Sequence, residues 1–226
     1  MKKLIFIILL CISCTPEQIS GLQSCAPRTH VWEDAVVPFK FNDNVPQYHR
    51  QLVYETISIY EENTPLTFVE YRTNDFFSLE HGVLIKYTGE KSVNSSFYPY
   101  GQDSYISDMR LGGEQFVSLS TVIHEFGHVA GLPHEFQRAD RDEYINLYFE
   151  NIPDEWEGNF TIEEIDFVSP YASNSVMNYD PYAIAIDKSK PAIEMKDGTP
   201  ITRSSTLTQL DIDKINELYC YELLDN

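Results

Sequence analysis

The chain has 226 residues, 42% of them hydrophobic and 13% aromatic, which is enough for one generous domain or one domain in two lobes. Its 35 acidic residues outnumber 16 basic ones, for a formal charge of −19. That balance excludes nucleic acid as a partner, because phosphate binding needs clustered lysine and arginine. An acidic, solvated surface that keeps an exported protein in solution accounts for it.

The first element does not belong to the fold. Lys2 and Lys3 precede an unbroken apolar run over residues 4–10, so residues 1–13 read as a secretory signal, too short to span a membrane. Ser13-Cys14 after Cys11-Ile12 resembles a bacterial lipobox, with Cys11 standing where leucine is usual. Cys14 is thus a candidate for lipidation, which would hold the protein at a membrane surface without a transmembrane helix. The expected location is outside the cell, as a cell-surface or outer-membrane lipoprotein or as a freely secreted protein. Residues 14–31 are polar, broken by Pro16, Gly21 and Pro27, and read as a linker or short pro-segment. Cys25 and Cys220 are the cysteines left in the mature body, and two such cysteines in an oxidising compartment usually pair.

From Trp32 the pattern tightens. Residues 36–42 read as a strand, and 47–62 as a helix with Tyr48, Leu52 and Ile59 at helical spacing, ended by Asn63-Thr64-Pro65. Residues 66–71, 83–88 and 105–111 read as further strands. The aromatic, proline-broken segment 95–101 suits an edge strand. Residues 116–130 are apolar over more than one face, as in a buried helix. Past Gly131 the chain turns irregular and acidic until a last helix over 208–219, with Thr208 as N-cap, Asp211 three residues on, and Leu210, Ile215 and Leu218 along one side. The whole reads as α+β: residues 32–226 form one domain, with an α+β lobe (32–131) and a loop-rich lobe (132–226).

The chemistry is concentrated in residues 124–134, His-Glu-Phe-Gly-His-Val-Ala-Gly-Leu-Pro-His. Residues four apart on a helix share a face, so His124 and His128 can grip one ion. Imidazole suits zinc, and three protein ligands leave a fourth position for water. Glu125 stands beside that water as general base. Gly131 ends the helix in a left-handed conformation and turns the chain so that His134 arrives as third ligand. Gly127 weakens the helix by roughly 1 kcal/mol relative to alanine, which close packing against another segment would explain. A bare His-Glu-x-x-His arises by accident in helices; the helix-ending glycine and the third histidine set this one apart. Ser-Val-Met-Asn-Tyr at 175–179 supplies the methionine turn that accompanies the extended motif in metzincins, with Met177 as the floor of the site.

With these elements the sequence resembles the astacin family of metallopeptidases. Glu135 after the third histidine, Arg138, residues 140–142, Tyr144, the pattern over 211–220, and Trp32 with Val37-Pro38 extend the likeness over residues 32–220. The resemblance implies a two-lobed zincin fold: a twisted, mostly parallel sheet with two helices, then a loop-rich lobe with a terminal helix, and one zinc at the floor of the cleft between them. It implies a secreted endopeptidase acting on protein or peptide substrates, with the membrane met only through an N-terminal lipid anchor. Tyr179 would be a fifth zinc ligand that swings away to stabilise the oxyanion. Glu135 would be buried and would pair with the mature N-terminus, and the strand at 95–101 would bind substrate by strand addition. The family's usual disulfides and long zinc-blocking pro-segment have no counterpart. Cys25 can therefore be read as a thiolate plug on the zinc of a zymogen or as the partner of Cys220. The rival reading is an astacin-like surface binding or adhesion protein without activity; intact Glu125 and all three histidines oppose it.

Overall fold

A computed structural model describes residues 31–89, 105–163 and 167–219. Strand β1 (Val36–Phe41) alternates inward Val37, Phe39 and Phe41 with half-exposed neighbours, as a strand with one face on a core must. Helix α1 (Gln47–Asn63) follows and buries Val53, Ile57 and Tyr60, the i, i+4, i+7 stripe of an amphipathic helix. Its end falls at Thr64, whose N–H bonds the Tyr60 carbonyl, because Pro65 disfavours helical geometry in the residue before it. Strands β2 (Thr67–Glu70), β3 (His81–Tyr87) and β4 (Tyr105–Leu111) complete a sheet of order β2-β1-β3-β4, in which every pairing among the described residues is parallel.

Helix α2 (Leu119–Val129) begins three residues later than the apolar pattern suggests. A capping box sets the start: Ser118 Oγ accepts the Thr121 N–H at 3.3 Å, and Thr121 Oγ1 accepts the Ser118 N–H at 3.4 Å. Every residue from Val122 to Val129 is buried, as its all-round apolar character requires. The two long helices are tied by Tyr60, whose hydroxyl donates to the Ile123 carbonyl at 2.7 Å inside the core.

Beyond α2 the chain is mostly 3-10 turns and loops. It forms a short helix α3 (Arg141–Tyr144), an antiparallel pair β5 (Ile145–Leu147) with β6 (Ile193–Met195), and the terminal helix α4 (Gln209–Leu218). The β5–β6 pair has no counterpart in the sequence reading, since three-residue strands are too short to show a period. Helix α4 is capped as expected by Thr208 and Asp211. Its buried side differs: Leu210 is half-buried, and the inward stripe is Asp211, Lys214, Ile215 and Leu218. Two charged residues can lie there because each meets a buried partner of its own.

The described residues pack around two apolar clusters. The larger joins the sheet to α1 and α2 and also takes in Val176, Met177, Ile215 and Leu218 from the second half of the chain. The smaller lies under the loops and includes Phe136, Ile145, Phe160, Tyr171 and Ile193. No helix among the described residues is long and apolar enough to cross a membrane.

Candidate metal centre

His124 and His128 occupy successive turns of α2, their ring centroids 5.0 Å apart. The third histidine depends on how the helix stops. Gly131 adopts φ +100°, its N–H bonds the His128 carbonyl at 2.9 Å, and the Leu132 N–H reaches back to the Gly127 carbonyl at 2.9 Å. This is a Schellman ending, in which a left-handed glycine reverses the chain at no steric cost. The reversal places the His134 ring 4.5 Å from that of His128 and 5.2 Å from that of His124.

Hydrogen bonds fix which nitrogen of each ring can serve a metal. His124 Nδ1 lies 2.8 Å from the Val176 carbonyl and His128 Nδ1 lies 2.9 Å from the Leu132 carbonyl. A carbonyl only accepts, so both Nδ1 atoms carry the proton, and Nε2 is the atom with a lone pair to offer an ion. His134 Nδ1 makes the same kind of bond, 2.8 Å to Gln137 Oε1, and its Nε2 is buried without a hydrogen-bond partner. Candidate ligand atoms of the three residues lie within 4.8 Å of one another. A neutral nitrogen set, each ring oriented through its other nitrogen, fits a zinc ion with an open fourth position.

Electrostatics agree. Burial holds all three imidazoles below their usual pKa, His128 at about 4, and His124 and His134 are lowered further by their histidine neighbours. Neutral rings therefore face the ion position at physiological pH, with no proton to displace.

Around this set stand the other residues expected there. Glu125 is buried next to His124 on α2, and its charge is felt at Tyr179 and Arg203. The Tyr179 ring packs 4.5 Å from His134 and 6.4 Å from His124. Burial first, and the Glu125 charge second, push its hydroxyl up to about 12. Met177 is wholly buried below α2, against Gly127. Glu135 is buried as expected, and its partners among the described residues are Lys214 Nζ at 2.5 Å, the Ala172 N–H at 3.0 Å and Arg138 Nη1 at 3.8 Å. The chain terminus expected beside it, along with Cys14, Cys25, Cys220 and the strand at 95–101, lies outside the described residues.

Several supporting residues escape a motif search. Gln137 orients His134; Asp211 accepts from Ser175 Oγ and, at 3.2 Å, from the Val176 N–H, holding the turn that receives His124. Trp32 Nε1 donates to the Val129 carbonyl at 2.7 Å and the Tyr219 hydroxyl donates to the Ala130 carbonyl at 3.2 Å, so both ends of the domain close on the end of α2. Arg203, whose Nη2 donates to the Ser120 carbonyl at 3.3 Å, places a cation near Glu125 and Tyr179. Trp32, Asp211 and Tyr219 fall in stretches that carry the family likeness, and Asp211 is also the expected cap partner of Thr208, whereas Gln137 and Arg203 carried no such signal. A separate groove of about 490 Å³ between β1, α1 and the end of β2 is remote from this chemistry, and its Arg72 is paired with Glu70.

The parallel sheet, the buried helix and three converging imidazoles above a methionine turn define a zincin-like fold with one site suited to zinc. A model of the astacin peptidase family matches residues 24–220, and the chain belongs to that family. It is 28% identical over 202 residues to astacin-like metalloprotease toxin 1 of Loxosceles intermedia, covering 84% of this chain and 71% of the toxin. It is 30% identical over 215 residues to zinc metalloproteinase nas-13 of Caenorhabditis elegans, covering 89% of this chain and 44% of that protein, so it spans less than half of this relative. Among solved structures, high choriolytic enzyme 1, a hatching-enzyme zinc protease from the medaka Oryzias latipes, has the same fold, with a TM-score of 0.74 at 20% identity over 87% of this chain and 97% of that one.

Proposed function

We propose that the chain is exported and cuts peptide bonds within protein or peptide substrates, with Glu125 as the proton-transferring group. The observation that supports this reading is that Glu125 follows His124 on the buried helix that also carries His128, with its charge felt at Tyr179 and Arg203. Zinc held by the Nε2 atoms of His124, His128 and His134 would supply a Lewis acid that acidifies a water and polarises the scissile carbonyl.

The rest of the work falls to the chain. The Glu125 carboxylate takes a proton from the attacking water and delivers it to the leaving amine nitrogen. Tyr179, with its hydroxyl pushed up to about 12, keeps its proton at neutral pH and can donate a hydrogen bond to the oxygen that gains negative charge. Met177, Val176 and Gln137 keep the imidazoles in place while this happens.

Export rests on the apolar run at 4–10 after Lys2 and Lys3. Cys14 is the anchor in the lipoprotein form of that proposal. Cys25 has two readings, a zinc plug and a disulfide partner of Cys220, and a free-thiol count on the zinc-depleted chain lacking residues 1–13, which also carries Cys14, separates them: three free thiols support the plug and one supports the disulfide.

The test is cleavage of unfolded casein by the purified chain lacking residues 1–13, before and after limited trypsin treatment, with a zinc chelator and with zinc restored. Cleavage that the chelator abolishes and zinc restores is the expected result. Absence of cleavage under every condition, with one zinc bound per chain, would overturn the reading.

A further inference from the structure

We propose that Lys214 is a positioning residue of the metal centre, an ammonium on the terminal helix that fixes the His134 loop through Glu135. The proposal rests on the metallopeptidase reading above.

Of the three ligands, only His134 stands on a loop, so its place depends on what holds that loop. The residue covalently next to it, Glu135, is turned inward with its side chain 3% exposed, facing the 1% exposed side chain of Lys214. Glu135 Oε1 accepts from Lys214 Nζ at 2.5 Å, and Oε2 accepts the Ala172 N–H at 3.0 Å. The pair joins positions 79 residues apart in sequence. Burying either charge alone is strongly unfavourable, so each residue holds the other in place. Each carboxylate oxygen thus accepts from a group of the described residues.

The same face of α4 reaches a second ligand by another route. Asp211, one turn before Lys214, accepts the Val176 N–H at 3.2 Å, and the Val176 carbonyl accepts the His124 Nδ1 proton at 2.8 Å. One helix thus holds the supports of His124 and of His134, while His128 is held within its own helix ending by the Leu132 carbonyl. A shift of α4 relative to α2 would move two supports together. The ammonium of Lys214 sets that spacing on the His134 side.

The experiment compares Lys214→Met, Lys214→Arg and the double variant Glu135→Gln/Lys214→Met with the wild-type chain. Zinc release to a chelator, the visible spectrum of the cobalt-substituted protein, the Tm, kcat and KM are measured for each. Loss of a partner behind a metal ligand typically weakens metal binding about 10- to 100-fold. Lys214→Met should release zinc faster by about that factor, alter the cobalt spectrum, and lower kcat with KM unchanged. Lys214→Arg, which keeps the cation, should retain zinc nearly as the wild type does. The double variant removes the buried carboxylate together with its ammonium and leaves Arg138 paired with Asp140, so its Tm should recover while zinc release stays fast. Recovery of slow release together with Tm would make the pair merely structural and overturn the proposal. Wild-type release and cobalt spectrum in both Lys214→Met and the double variant would overturn it too, and the double variant decides the matter where the single one does not fold. Zinc release and the cobalt spectrum are read without substrate, so failure of the wild type to cleave casein would count against the proposed function alone.

Discussion

Met177 lies directly against Gly127, the residue before His128 on α2. A Cβ built on Gly127 would overlap the Met177 Sδ and stand 3.1 Å from its Cε. A glycine that weakens the helix by roughly 1 kcal/mol thus admits the methionine turn under the metal site, and the same turn supplies the carbonyl that orients His124. The two halves of the signature are one packing unit.

Gly127→Ala should therefore destabilise the protein despite alanine's better helix propensity. Met177 is wholly buried, so its thioether would have to shift within a packed core to admit the methyl, and overpacking of this kind typically costs about 1–3 kcal/mol. A lower Tm together with faster zinc release is expected from calorimetry and a chelator assay. A Tm at or above that of the wild type would show that the contact is not restrictive.

Asp211→Asn tests the other support of the turn. The carboxylate accepts from Ser175 Oγ, the Val176 N–H at 3.2 Å, the Thr208 N–H at 2.8 Å and Thr208 Oγ1 at 2.8 Å. The amide oxygen can keep the three Oδ2 partners and the amide nitrogen can donate to the Ser175 hydroxyl, so what is lost is the charge that strengthens these bonds, about 1 kcal/mol for each. Urea unfolding of the zinc-loaded protein should lose at least about 2 kcal/mol. An unchanged midpoint would contradict the network.

Acid should unfold the zinc-free chain early. Burial holds the folded His128 at about 4 against an ordinary 6.5, with His124 and His134 also lowered. Below 6.5 the unfolded chain binds protons that the folded chain does not, so stability falls as pH drops, and the His128 share of the loss is complete below about 4. Above 6.5 both states are neutral and the shift contributes nothing. Thermal melts of the chelated protein at pH 7.5 and 5 should show a clear drop in Tm, and equal values would contradict the burial of these rings.

Metal removal should lower stability without erasing the fold, because the larger apolar cluster does not depend on the ion. Free zinc at 100 times its dissociation constant contributes about 2.7 kcal/mol by mass action. The Tm should rise with zinc concentration accordingly. A melt insensitive to zinc would argue against a site closed by all three histidines.

What could be read from the sequence was whatever rests on local chemistry. The spacing of His124 and His128, the left-handed Gly131, the Thr208 cap and the alternation of β1 each follow from a few adjacent residues, and each appears in the structure as expected. Features that join distant residues were not legible. Nothing local marks Lys214 as the partner of Glu135, Asp211 as the support of Val176, or Arg203 as a cation near Glu125. The α4 stripe was misread at Leu210 for the same reason, since an apolar count passes over charged residues whose burial is made tolerable by a remote partner. The start of α2 moved from 116 to Leu119 because a capping box outweighs apolar content at a helix end.

Glu125→Ala, with metal content and turnover measured on the same preparation, separates proton transfer by Glu125 from metal binding by the three histidines. One zinc per chain, as in the wild type, is expected, with casein cleavage reduced by at least about 10²- to 10⁴-fold. Wild-type cleavage by a zinc-loaded Glu125→Ala chain, with contaminating protease excluded, would contradict that role of Glu125.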